Sequence, residues 1–260
     1  MEEAIASKLD IFAESLGAAT RESFESLGAM GIMLWRVITA KPKSEVIFEQ
    51  MMTMGVSSMP IVLLASMFTG FIATWMVKYL AGDFVGLEYL GMLVLKVVLV
   101  DLGPTLIGLI LAGRIGARLA AEVGTMRVTE QIDAMSCLSL DPISYVVAPR
   151  VIAGFVMQPV LFVFGSLAAI VSSQLLATFA LNLPAATFYN STHLMFQMSG
   201  IYMGLLKSFA FGGIIALCGC YFGFNTTGGA VGVGDSTRKA VVASSILILI
   251  ANLIVSQMMM

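Results

Sequence analysis

Charge is what this chain has least of. Only 12% of its 260 residues are Asp, Glu, Lys or Arg, about half the share carried by an average soluble domain. Hydrophobic residues make up 58% and the mean hydropathy is +0.95, which excludes a disordered chain and a collagen and leaves no room for a soluble enzyme. A net charge of -2 gives no basic footprint for nucleic acid, and a single histidine leaves little for metal chemistry, so no metal site is expected. The three cysteines, Cys137, Cys218 and Cys220, are an odd number without framework spacing. Cys218-Gly219-Cys220 reads as small buried thiols in an apolar helix rather than a redox or metal pair. No G-x-x-x-x-G-K-S/T motif occurs, so the chain is not expected to bind ATP through a P-loop. There is no H-E-x-x-H either. Residues 1–31 lack the basic-then-apolar order of a secretory signal. The glycine run Gly228 to Gly234 follows an apolar segment, not a strand, and is expected to be a flexible turn instead of a dinucleotide fingerprint.

What is present are long apolar runs. A membrane helix needs about 20 mainly apolar residues to cross roughly 30 Å of hydrocarbon. Between Glu49 and Lys78 lie 28 uncharged residues, enough for a first span near 56–80. A second fits between Glu88 and Arg114, although it contains Lys96 and Asp101. Between Arg150 and Lys207 there are 56 residues without Asp, Glu, Lys or Arg. As one helix these would run about 84 Å, so the chain must turn. Asn182-Leu183-Pro184 and the polar Asn190-Ser191-Thr192-His193 patch supply the turn, giving a third span near 151–181 and a fourth near 199–222. Residues 240–260 make a fifth.

Lysine and arginine placement sets the expected orientation. With five spans, the N-terminus and the 114–150 and 223–239 segments share a side that carries eleven Lys and Arg residues, against Lys78 alone on the other. The N-terminus is therefore expected in the cytoplasm and the C-terminus outside. Within residues 1–45, Ile5, Leu9, Phe12 and Leu16 form one apolar stripe between charged neighbours. Trp35 and Arg36 sit where an interfacial anchor would. An amphipathic helix lying on the cytoplasmic face is expected here, with a helix packed on a soluble partner as the alternative.

Three internal features carry more. Gly108, Ala112, Gly116, Ala120 and Gly124 repeat a small residue every four positions, a ridge that would let helix backbones approach closely. Asp101 lies near the middle of a span, where a carboxylate is costly and faces a partner or a cavity, and Pro104 disturbs the helix just beyond it. Lys96 is about 140° away round the helix, so Lys207 is the better candidate partner. An interhelical ion pair, a cavity wall touching a polar headgroup and ion coupling all remain open for Asp101. The 114–150 segment gathers Arg114, Arg118, Glu122, Arg127, Glu130, Asp133, Asp141 and Arg150 between two spans. Arg127, Glu130, Gln131 and Ala134 fit one helical face, which predicts a docking element for a soluble partner instead of a plain connecting loop.

These residues also resemble a known family. The stretch from Asp101-Leu-Gly-Pro-Thr through Ala112-Gly-Arg-Ile-Gly116, then Ala121-Glu-Val-Gly-Thr-Met-Arg-Val-Thr-Glu-Gln-Ile-Asp-Ala134 and Asp141-Pro142 to Pro149-Arg150, is similar to the MlaE/YrbE permeases. So is Thr227-Gly-Gly-Ala-Val-Gly-Val-Gly234 with Thr237 and Ala240-Val-Val242. The resemblance covers roughly residues 45–260. It implies the permease of an ABC-type lipid transporter in the bacterial inner membrane: a homodimer served by a cytoplasmic ABC ATPase and a periplasmic MCE-domain protein, moving phospholipid. ATP and Mg would sit on the ATPase, with no cofactor on this chain. The resemblance makes 122–134 a coupling helix, with Glu122, Gly124, Thr125, Met126, Arg127, Thr129, Glu130, Gln131 and Asp133 as its contacts. It directs Leu64, Met67, Phe68, Phe71, Trp75 and Asp101 toward a lipid cavity. Two positions depart from the family's habit: Val100-Asp101, where members commonly carry Glu, and Trp75-Met76, where they tend to show Leu-Gln.

The expectation is an all-α integral membrane protein with an N-terminal amphipathic interfacial helix (1–45), five transmembrane helices and a cytoplasmic coupling helix between the second and third spans, residues 46–260 forming one permease domain. Two other functional readings are a proton-coupled secondary transporter using Asp101 and a non-transporting membrane scaffold.

Overall fold

The computed structural model describes residues 25–40, 42–81, 86–194 and 198–259. Among them the chain is helical apart from its short connections, with no strand. The amphipathic stripe Ile5 to Leu16 lies outside the described residues. The helices are α1 (residues 25–39), α2 (Ser44–Leu80), α3 (Leu90–Val128), α4 (Gln131–Cys137), α5 (Ile143–Leu181), α6 (Ala185–Leu194), α7 (Met198–Phe224) and α8 (Gly229–Met259). Five of them, α2, α3, α5, α7 and α8, are long and apolar enough to cross a membrane. In hydrocarbon every backbone N–H and C=O must find a partner within the protein, so long apolar segments adopt helix.

The spans expected from the sequence are all present but longer at their charged ends. The second does not stop at Arg114; α3 continues to Val128. The fifth starts at Gly229 rather than at 240, so the glycine run is mostly the first turns of α8. Only Gly228 stands before the helix; it and Gly229, the first residue of α8, have φ of 87° and 68°, values that favour glycine. Residues 190–193 are not a turn either, because they lie inside α6. The reversal after α5 is made at Asn182, whose φ of 53° ends the helix. The Leu183 amide returns to the Ala177 carbonyl.

Packing centres on α5 and α7. α5 lies along α2 on one side and α7 on the other, while α7 also packs against α3 and α8. The contacts are backbone-close. A side-chain carbon at Gly212 would sit 2.3 Å from the Gly154 carbonyl oxygen, and one at Gly70 would sit 2.1 Å from that of Ala169. Ser172 and Ser173 of α5 donate to the Met67 and Gly70 carbonyls of α2, each at 3.0 Å. The small-residue ridge on α3 does this work too: Gly108 faces Phe211 and Ile248, Gly116 faces Ile215 and Ser244, and Gly124 faces Thr226 and Val233. With no hydrophobic driving force between helices in lipid, such fit and interhelical hydrogen bonds hold the bundle. α8 is the edge helix, burying Ala240, Ser244 and Ile248 while Leu249, Ile250, Leu253 and Ile254 stay exposed.

Gly212→Val should therefore force α5 and α7 apart, an overpacking cost of about 1–3 kcal/mol or more. The check is the fraction of detergent-solubilised protein still monodisperse after heating. Gly213→Ala, whose added carbon would meet Phe155 at an ordinary 3.4 Å, should unfold like the wild type.

Candidate functional site

α3 has 39 residues, about 58 Å of helix, against a hydrocarbon layer of about 30 Å. One end must project. Its charges say which: from Arg114 onward the helix carries Arg118, Glu122 and Arg127. Arg118 Nε donates to Glu122 at 2.6 Å, and the other Glu122 oxygen lies 3.7 Å from Arg150 at the start of α5. Arg150 is almost fully buried and also donates to the Val146 carbonyl at 2.8 Å. Glu122 thus ties α3 to α5.

The 122–134 stretch is not one helix. α3 ends at Val128, and Glu130 takes a left-handed φ of 59° before α4 begins at Gln131. Arg127, Glu130, Gln131 and Ala134 therefore do not share a continuous helical face. Arg127 pairs across the turn with Asp133, not with Glu130. Gln131 donates to the Thr129 hydroxyl at 3.0 Å. Of the nine expected contacts, Glu122, Thr125, Met126 and Arg127 ride on α3, Thr129 and Glu130 form the corner, and Gln131 and Asp133 open α4. Gly124 is buried against Thr226, where a side-chain carbon would meet the hydroxyl at 2.9 Å, so its role is packing. The corner is flanked by exposed Val128, Leu138 and Leu140. These apolar residues at a charged, projecting end are what sequence reasoning passed over; Leu138 and Leu140 inside a polar stretch were the available signal.

Asp141 fixes where α5 begins. Its carboxylate accepts from the Ile143 and Ser144 amides, each at 3.3 Å, and from the Ser144 hydroxyl at 2.7 Å. Pro142, the residue just before Ile143, already has a helical φ of -62°, and its missing N–H is harmless there. Partial burial alone would raise the carboxyl's pKa. The bonds from Ser144 and Ile143 and the charge of Arg36 at 3.6 Å outweigh it, and the group sits below the ordinary aspartate value. The folded pKa being lower, the cap's contribution is complete above the unfolded aspartate value of about 3.9 and is lost as pH falls through the lowered one.

Deeper in α3 is the ion pair that the spacing allowed. Lys207 of α7, with no exposed surface, lies 3.3 Å from Asp101 Oδ1 and donates to the Val100 carbonyl at 2.8 Å. Asn252 of α8 donates to the same Asp101 oxygen at 2.9 Å. The α3 backbone is a π-turn over Val98–Leu102. Asp101 keeps 55% of its side chain exposed, so the node joins three helices without sealing the carboxylate away.

Leu64, Met67, Phe68 and Trp75 form an exposed apolar face of α2, with Phe71 half-buried. Toward the C-terminal end of α2 it forms a wide, shallow groove of about 640 Å³ lined by Phe71, Ile72, Trp75, Met76, Tyr79 and Leu176. The Lys78 ammonium lies 5.7 Å from the Trp75 ring centre. Asp101 lies on the α3–α7–α8 side and does not line this groove. Among the described residues no cluster of His, Cys, Asp and Glu could hold a metal ion.

Comparison with known proteins is consistent along the whole bundle. The family model of the permease MlaE matches residues 47–258. A probable ABC transporter permease protein of Rickettsia typhi is 35% identical over 95% of this chain and 93% of its own length. One of Synechocystis is 42% identical over 81% of this chain and 80% of its own. A third, from Porphyra purpurea, is 35% identical over the same shares.

The Asp101 node predicts a stability pattern. Asp101→Leu leaves a buried ammonium with one carbonyl partner, a cost of about 1–3 kcal/mol or more for a charged group. The variant should melt earlier in detergent, and Asp101→Leu combined with Lys207→Met should recover part of the loss. If the double variant is no more stable than Asp101→Leu alone, the pair is not what holds the node.

Proposed function

The chain belongs to the MlaE permease family, and on that premise we propose that it is the membrane subunit of an ATP-driven transporter moving phospholipids or similar hydrophobic molecules between the inner membrane and the outer envelope. The observation that carries the reading is the projecting end of α3. It presents a charged corner with exposed Val128, Leu138 and Leu140, the anatomy of a protein-docking surface. The partner is a cytoplasmic ABC ATPase that binds ATP and Mg. Lysine and arginine placement supports the same side for the N-terminus, with the C-terminus in the periplasm.

Two copies of the chain complete the pathway. A half-exposed carboxylate at mid-span has no favourable place against acyl chains, which supports Asp101 facing a cavity shared by two protomers. The apolar face of α2, from Leu64 to Trp75, offers the acyl chains a wall, and its outer groove is where a periplasmic MCE-domain protein would receive them. In this mechanism ATPase closure pushes the 128–131 corner. α3 transmits the push because it is one helix from that corner to Leu90, and Glu122 carries α5 along through Arg150. Widening and narrowing between the first two spans then admits or expels a lipid.

The purified chain alone should not hydrolyse ATP, and its complex with the ATPase should. Glu130→Lys should weaken copurification of the ATPase or uncouple hydrolysis from lipid transfer, because Glu130 is exposed at the corner and makes no ion pair among the described residues. The cost of losing one side of a desolvated interfacial charge pair is typically about 2–5 kcal/mol. Arg127→Glu additionally opposes Asp133 and should be worse. Unchanged binding and coupling in both variants would move the docking site to the 226–238 region.

A further inference from the structure

Between the start of α2 and the charged end of α3 lies a groove of which the transport mechanism above uses only Glu122. It holds about 130 Å³, an order of magnitude above the ~10–15 Å³ that admits one water. Arg114 and Arg118 stand on its α3 wall, with Glu122 beyond them, and Gln50, Thr53 and Ser57 on its α2 wall. At its edge Ser58 is 1% exposed, and its hydroxyl has no hydrogen-bond partner. A buried unsatisfied hydroxyl in a groove asks for a ligand or a water. Arg114 donates one nitrogen to the Ser57 carbonyl at 2.7 Å; a guanidinium has five N–H donors, and the others meet no protein acceptor among the described residues. Thr53 and Ser57 spend their hydroxyl protons on the Glu49 and Thr53 carbonyls of their own helix, so on the α2 wall the Gln50 amide and the Ser58 hydroxyl are the side-chain donors left for an anion.

The charge and the direction of the groove both point to one class of ligand. Two guanidiniums against one carboxylate leave the lining with one positive charge in excess, matching the single negative charge of a phosphodiester, and arginine's planar fork suits phosphate oxygens. Along α2 the groove residues Gln50, Thr53 and Ser57 are followed, in steps of three or four, by Ile61, Leu64, Phe68, Phe71 and Trp75. Ile61, Leu64, Phe68 and Trp75 are exposed. A polar, cationic pocket thus opens onto an apolar strip that runs the length of the span. A phosphate with acyl chains attached fits that sequence of surfaces; a carboxylate on a soluble partner would use the pocket and leave the strip bare. We infer that this groove binds the phosphodiester of a membrane phospholipid in the leaflet on the charged side, the cytoplasmic one on the orientation proposed above.

The test uses the full chain in non-ionic detergent, titrated with dioleoyl phosphatidylglycerol and read by native mass spectrometry. The lipid should bind, and Arg114→Gln should weaken binding about tenfold, the loss of one charge-assisted hydrogen bond. Gln50→Leu, which breaks no hydrogen bond within the chain, should also weaken it and decides the matter if Arg114→Gln fails to fold. Dioleoylglycerol, which lacks the phosphate, should show no dependence on Arg114. Wild-type binding by both variants overturns the inference. So does displacement of the lipid by equimolar inorganic phosphate, which would make the groove a free-anion site. If Arg114→Gln binds lipid normally but loses the ATPase, the groove belongs to that partner and the lipid assignment falls. Because binding is read without the ATPase, failure of ATP-driven transfer with Arg114-dependent binding intact would count against the proposed function and not against the groove.

Discussion

One carbonyl sets much of the bundle's geometry. In an α-helix the Val100 oxygen would accept the amide of residue 104, but that residue is Pro104 and has no N–H. The α-helical register is in any case interrupted by the π-turn over Val98–Leu102, and the Lys207 ammonium donates to the Val100 carbonyl from α7 at 2.8 Å. The approach is possible because Gly204, one turn before Lys207, has no side chain: a carbon there would sit 2.4 Å from the Leu99 carbonyl oxygen. Burying an ammonium then requires a counter-charge, which Asp101 provides, and Asn252 brings α8 onto the same oxygen. Proline, glycine, lysine, aspartate and asparagine on three helices are one arrangement. Each is hard to justify without the others.

The same logic of close backbones runs through the rest. Gly154 and Gly212 bring α5 to α7, and Gly70 with Ser172 and Ser173 brings α2 to α5. Serine hydroxyls donating to a neighbour's carbonyl are worth having only where a missing side chain lets the helices meet. α6 follows the pattern at the opposite end. A side-chain carbon at Gly91 would lie 2.4 Å from the Phe188 carbonyl oxygen and 2.5 Å from the Ser191 hydroxyl, which seats α6 against the start of α3. Phe188 is wholly buried in the smaller of the two cores, with Ala73, Val94 and Ala177.

The spans were legible in the sequence because hydropathy over 20 residues is a bulk property that tertiary contacts do not alter. The Lys207 partner of Asp101 was legible too, since a buried charge needs one and Lys96 lay on the wrong side of the helix. What escaped was local. Glu130 breaks the 122–134 helix with a left-handed backbone that its identity does not announce, whereas periodicity alone allowed one face through it. The glycine run read as a turn, yet small residues in the first turns of α8 let it meet the neighbouring turn; a side-chain carbon at Gly232 would lie 1.7 Å from the Thr227 carbonyl oxygen. The Asn190 to His193 patch read as a loop because polar residues in an apolar run suggest one, but its hydroxyls bond back to α6's own carbonyls and its buried face packs on α3. The docking residues were chosen for charge, and the exposed Leu138 and Leu140 beside them were missed because an isolated leucine carries no period.

Length decides how the two ends of α3 communicate. The helix joins the 128–131 corner, the Glu122 bridge and the Asp101 node in one continuous segment, and α5, α7 and α8 pack alongside it. Arg150 links α5 to α3. It is buried, and Glu122 is its acidic partner, so α5 moves with α3 at that level or leaves a charge unpaired. Along α3 itself the Ala112–Gly116 π-turn stands between the bridge and the node, and wide turns of this kind are where a helix changes course. On the proposed mechanism a push on the charged end would carry the start of α5 with it, bend α3 at the 112–116 π-turn and reach Asp101 as a change of angle against α7. At that point the Val100 carbonyl accepts from Lys207, and the Leu99 carbonyl lies where a side chain at Gly204 would stand. A rotation there has to be taken up by α7 and α8 as well, which makes the ion pair the place where a push on one helix becomes a rearrangement of three.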